Sequence, residues 1–168
     1  MLSCKQKEKN GIDKNLFPGT WAFDERINFE QMKQMPEFKE GLSVISDANM
    51  TLKGTLSFNS NGRYTMKGFL FMTVTPAGGG DNTTMNFEFR ETGTWKLADS
   101  LLTSFTEEGD AMGADSATRQ MTADDPDILE EIRPVKGETT IDEVRLATAG
   151  QIELLDTKTK LKTTLKKQ

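Results

Sequence analysis

The middle of the chain alternates apolar and polar residues. Met50, Leu52, Leu56 and Phe58 alternate with Thr51, Lys53, Thr55 and Ser57, the period of a strand with one buried face. Asn59-Ser60-Asn61-Gly62 is a hairpin signal, and Tyr64, Met66, Leu70, Met72 and Val74 carry the alternation back. Met85, Phe87 and Phe89 then alternate with Asn86, Glu88 and Arg90, and a further run near 101–106 follows a turn at Asp99-Ser100. Late runs at 139–146, 151–156 and 157–165 read as strands, and one more fits 117–122. In the last run Lys158, Lys160 and Lys162 would share a face. Two segments break the pattern. Phe38, Leu42 and Ile45 are spaced as a helical stripe, with Pro36 as a first-turn residue, so 28–46 predicts one or two short helices. Residues 126–132 predict another short helix, ending before Pro134. Gly54 and Gly68 fall inside strands, where glycine marks a bend. About nine strands joined by hairpin-length turns predict an all-β chain, closed as an up-and-down antiparallel barrel with a short helical insertion after the first strand. A β-sandwich, or a half-open sheet packed on the 28–46 helix, is the alternative.

A tripeptide occurs twice, as Gly19-Thr20-Trp21 and Gly93-Thr94-Trp95. Glycine permits close approach, threonine favours extended backbone, and tryptophan supplies a large apolar plug with one N–H. Trp21 and Trp95 are therefore expected to close one end of a barrel. Residues 1–16, rich in Lys and Asn, read as a flexible tether, and 17–168 as one barrel domain.

Composition narrows the chemistry. The chain has 168 residues, a net charge of -5, no histidine and one cysteine. A negative balance argues against nucleic acid as a partner. No run approaches the ~20 apolar residues of a membrane helix. Lack of histidine removes Ser-His-Asp and Cys-His catalysis, and with a lone cysteine it removes ordinary structural zinc sites. Glu107, Glu108, Asp110 and Asp115 are closely spaced but do not match a calcium-binding helix-loop-helix pattern. No metal, no cofactor and no catalytic residue is expected, and residues 107–127 read as a weakly patterned acidic insert.

Met1-Leu2-Ser3-Cys4 looks like the tail of a bacterial lipobox, in which the cysteine is cleaved and lipidated, and the polar stretch 5–11 resembles the tether that follows one. That reading expects a signal segment upstream of Met1 and a membrane partner through an acyl anchor at Cys4. Lys5, Lys7, Lys9 and Lys14 near the anchor, with Lys158, Lys160, Lys162, Lys166 and Lys167 near the other terminus, could turn a basic side toward an anionic membrane.

At Phe17-Pro18-Gly19-Thr20-Trp21 the chain resembles the calycins, the superfamily of lipocalins and fatty-acid-binding proteins. In those families a Gly-x-Trp opens the first strand and its indole closes the barrel base. Ile27 to Lys33 is similar to the entry into the helix pair of fatty-acid-binding proteins. Asn61-Gly62-Arg63-Tyr64 and Gly93-Thr94-Trp95-Lys96-Leu97 resemble lipocalin-like domains of small bacterial lipoproteins. The departures are clear. The final strand lacks the Arg-x-Tyr of fatty-acid-binding proteins and offers Lys160, Lys162 and Thr163, and the mid-barrel Thr-Asp-Tyr of lipocalins is missing. The late arginine that lipocalins pack on the first tryptophan would have to be Arg145.

The resemblance implies a non-enzymatic lipocalin-like protein in the bacterial cell envelope, binding a small apolar ligand inside the barrel. Met50, Phe58, Tyr64, Met66, Met85, Phe87 and Phe89 are the candidate lining. Period-two patterning does not distinguish a hollow barrel from a filled one. A filled barrel would be a structural or interaction module that contacts a partner protein or glycan through loops 75–83 and 107–127.

Overall fold

The computed structural model describes residues 11–35 and 42–168. Cys4 and Phe38 lie outside them. Eight antiparallel strands follow one another in chain order and close into a barrel. They are β1 (Gly19–Asn28), β2 (Ile45–Phe58), β3 (Arg63–Pro76), β4 (Thr83–Ala98), β5 (Leu101–Gly113), β6 (Thr139–Ala147), β7 (Gln151–Asp156) and β8 (Lys162–Lys167). Among the described residues three short α-helices interrupt them: α1 (Phe29–Met32), α2 (Ser116–Asp124) and α3 (Asp127–Ile132). The barrel expected from alternation and turn spacing is therefore the one observed, with eight strands in place of nine.

The ninth strand, expected at 117–122, is α2. Its start is set by Asp115, whose carboxylate accepts from the Thr118 N–H at 2.7 Å and also from the Asn86 side-chain amide. This is an N-cap that a strand would leave unused. Those bonds hold the Asp115 carboxyl below its ordinary pKa. Thr118 and Thr122 turn inward, and the Thr118 hydroxyl accepts from the Asn86 N–H at 3.0 Å. The acidic insert also begins later than expected. Its first residues, 107–113, extend β5 with Gly109, Ala111 and Gly113 across from the inward side of β4. Glycine and alanine carry little hydrophobic signal, which is why period two faded there. The expected strand at 157–165 starts only at Lys162, because the Asp156 carboxylate accepts from the Lys158 and Thr159 N–H groups at 2.8 and 2.5 Å. That Asx-type turn places Lys158 and Lys160 at the end of the barrel opposite Lys166 and Lys167, so these lysines do not share one strand face. Of the one or two short helices expected over 28–46, the described residues contain α1, capped reciprocally by Asn28 and Gln31, and a 3-10 turn at Leu42–Val44, while Ile45 already belongs to β2.

One end of the barrel is plugged. A short 3-10 turn at Lys14–Leu16 brings Phe17 under the strands, and Ile12 and Leu16, expected in the tether, pack against the same core. The Phe17 ring stacks on Trp95 at 5.8 Å, and Phe58 meets both rings edge-on at 5.7 and 5.2 Å. The Trp21 indole donates to the Phe17 carbonyl at 2.8 Å, and the Trp95 indole donates to the Asn59 carbonyl at 3.0 Å. Each Gly-Thr-Trp thus ends in a buried ring whose single N–H is satisfied, as burial of an indole requires.

β2 and β3 approach closely where Gly54 faces Gly68 in register. A Cβ on Gly54 would lie 2.2 Å from the Lys67 carbonyl and 2.9 Å from the Phe23 ring, and one on Gly68 would lie 2.2 Å from the Lys53 carbonyl. Gly68→Ala is expected to destabilise the barrel by about 2–4 kcal/mol, because the obstacle is backbone and cannot swing away. A urea midpoint shift with unchanged m-value measures it; an unshifted midpoint would refute the close approach.

The barrel seam is short. β1 and β8 pair only through Trp21 with Lys167 and Ala22 with Lys166. Further along, the Glu25 carboxylate reaches across and accepts from the Thr164 N–H at 3.0 Å. Burial raises the Glu25 pKa, partly offset by that hydrogen bond.

Candidate functional site

The barrel interior divides into a packed half and a hollow. Phe17, Trp21, Phe23, Phe58, Phe89, Trp95, Leu102, Ile152 and Leu165 fill the plugged end. A second cluster of Ile27, Met32, Ala48, Met50 and Met72 packs under α1, with Met85 beside it. Between them, against β6, β7 and β8, lies a cavity of about 320 Å³. Its apolar wall is Met35, Leu56, Met66, Leu154 and Leu161. Its polar wall is Tyr64, Glu91, Ser104, Thr140, Asp142, Asp156, Thr159 and Thr163.

Of the seven residues expected to line a cavity, Tyr64 and Met66 border this one. The other five are elsewhere. Phe58, Phe87 and Phe89 are buried, with Phe58 and Phe89 in the plug-end cluster, and Met50 and Met85 belong to the cluster under α1. Tyr64 is buried, and its hydroxyl donates to the Glu91 carboxylate, which also accepts from the Thr106 hydroxyl at 2.7 Å. Burial, and then that carboxylate, hold the Tyr64 phenol well above its ordinary pKa.

Trp21 and Trp95 sit in the closed end, but Arg145 does not join them. β6 carries a bulge in which Val144 pairs with Leu154 and Leu146 with Glu153, leaving Arg145 as the extra residue. Its guanidinium is exposed and pairs with Glu143 at 2.8 Å. The cation over the Trp21 ring is Lys167, 4.3 Å from the centroid, with its ammonium donating to the Pro18 carbonyl at 2.7 Å. Strand register explains the exchange, since Lys167 lies directly opposite Trp21.

The polar wall was not legible as a site. Glu91, Asp142 and Asp156 come from β4, β6 and β7, and strand closure brings them to one hollow. Asp142 and Asp156 are opposite each other in the β6–β7 register. Burial, then the Asp156 charge, pushes the Asp142 carboxyl up to about 6. The available signal was the face shared by Thr140, Asp142 and Val144, but the opposite face of Thr139, Ile141 and Glu143 reads equally well as buried. Among the described residues, no group of three or more His, Cys, Asp or Glu side chains could hold a metal ion.

No protein-family model matches the chain, and no curated protein matches it either. The barrel and its cavity are what the functional reading rests on.

Proposed function

We propose that this protein is a non-enzymatic, lipocalin-like binding protein that takes up a small organic ligand inside its barrel. The observation that carries this reading is the cavity of about 320 Å³, which has both an apolar wall and convergent polar groups. Such mixed lining is what small-molecule sites use, and ~300 Å³ is the small end of their range. The plug of Phe17, Trp21, Phe58 and Trp95 supports it, because one rigid closed end leaves the other for entry. Met35, Thr159 and Leu161 border the cavity on that other side. The calycin resemblance of the Gly-Thr-Trp segments belongs to this reading, as does an acyl anchor at Cys4 in a bacterial envelope.

Native mass spectrometry of gently purified protein tests ligand binding. A reproducible extra mass, released on denaturation in organic solvent, is the expected result. A bare mass that stays bare after incubation with mixed small lipids and amines would refute it. Intact mass of the protein from its own cell tests the anchor separately, with acyl chains expected on Cys4.

One observation favours the interaction-module reading. Phe69 and Phe71 are stacked at 6.2 Å on the outer wall of β3, both partly in solvent. Exposed paired aromatics of that kind are enriched in protein interfaces. The bare-mass outcome would favour that reading.

A further inference from the structure

Three carboxyl groups line the cavity. They belong to Glu91, Asp142 and Asp156, and among the described residues its wall carries no lysine or arginine. The three carboxyls are not equally engaged. One Glu91 oxygen is held by the Tyr64 and Thr106 hydroxyls. One Asp156 oxygen is held by the backbone of the turn that follows it. Asp142 has no hydrogen bond or ion pair with any described residue. It faces Asp156 directly across the β6–β7 ladder. Like charges opposite each other on one sheet face repel, and a carboxylate without a partner in a half-buried hollow is costly to keep. Nothing described in the barrel relieves that repulsion.

We infer that the ligand is an organic cation, a primary or secondary ammonium on a compact apolar body, with Asp142 as its counter-ion. This inference rests on the barrel being a ligand-binding one. An ammonium brings the missing positive charge, and its N–H donors match the free Asp142 oxygens and the Ser104, Thr140 and Thr163 hydroxyls of the same wall. The apolar body fits Met35, Leu56, Met66, Leu154 and Leu161. A bare metal ion fits poorly, because the carboxyls do not converge as a cage. A fatty-acid carboxylate fits worst, since it would add a fourth carboxyl group to a wall with no cation among the described residues.

Three probes of one shape separate these possibilities: octylamine, octan-1-ol and octanoate, measured by isothermal titration on the whole chain at neutral pH, with and without calcium. Octylamine is expected to bind at least about tenfold more tightly than octan-1-ol, because a partly desolvated charge pair contributes about 1.5 kcal/mol or more. Octanoate is expected not to bind, and calcium not to displace octylamine. Asp142→Asn should weaken octylamine about tenfold and leave octan-1-ol unchanged within about twofold. Equal binding of amine and alcohol, or tightest binding of octanoate, would overturn the cation inference while leaving the barrel a binding protein. Displacement of octylamine by calcium would overturn it in favour of a metal. No binding of any probe to the folded protein would overturn both.

Discussion

Asp142→Asn is expected to make the ligand-free protein more stable at neutral pH and to lose that advantage in acid. Burial and the facing Asp156 raise the Asp142 pKa from 3.8 to about 6 in the folded chain. Below the unfolded value both states carry the proton, and the group contributes nothing. Between the two values the folded protein holds a proton that the unfolded chain has released, so stability falls as pH rises. Above about 6 the full penalty applies. Two pKa units correspond to about 3 kcal/mol at most, and partial solvent access reduces that to about 1–3 kcal/mol. The amide removes the penalty, so the melting temperature should rise by about 3–8 °C at neutral pH. Near pH 4 the difference should close. Among the described residues, the other ionisable groups around the hollow are Glu91, Asp156 and Tyr64, with Glu25 on β1 bridging the nearby seam. None of them supplies a positive charge that would reverse the sign. Thermal melts of both proteins across that pH range check the result; a lower melting temperature of the variant at neutral pH would contradict it. A stabilising substitution at a group proposed to bind ligand is the ordinary tension between stability and function.

Trp21→Ala is expected to cost about 3–5 kcal/mol, the range for removing a large buried aromatic side chain. Trp21 is 0% exposed, and its indole holds the Phe17 carbonyl in place. Phe17 in turn stacks on Trp95 and meets Phe58, so loss of one ring loosens the others. Lys167 loses the aromatic face it covers. The control is Arg145→Ala, expected within about 0.5 kcal/mol of the parent, since an exposed ion pair on a bulge contributes little. Urea unfolding followed by far-ultraviolet circular dichroism measures both. Comparable losses from the two substitutions would mean that Arg145 supports the plug after all.

Much of the fold was legible because it is written in short-range terms. Alternation over 50–58, 64–74 and 85–89 marks the strands, and Asn61-Gly62 marks their turn, with Gly62 at a φ of 82°. Where the pattern failed, small residues or side-chain caps were responsible. Gly109, Ala111 and Gly113 hide the far half of β5, and the Asp115 cap commits 116–124 to helix although its residues would pass for a strand. The candidate site was less legible. Tyr64 and Met66 were found because they are inward and partly apolar. Phe58, Phe87 and Phe89 alternate inward in the same way but are buried, because large rings pack together, and period two does not separate packed from lining positions.

The sequence by itself determined an antiparallel meander, its hairpin turns and the two indoles at its closed end, since each depends on residues a few positions apart. Only the tertiary structure decided where the hollow lies and what charge it carries. Glu91, Asp142 and Asp156 lie on three different strands, far apart along the chain or across a turn. Their meeting depends on strand register, on bulges at Glu107 and Arg145 that reset which side faces inward, and on barrel closure. Those are properties of paired strands, and a single strand's alternation carries no record of them.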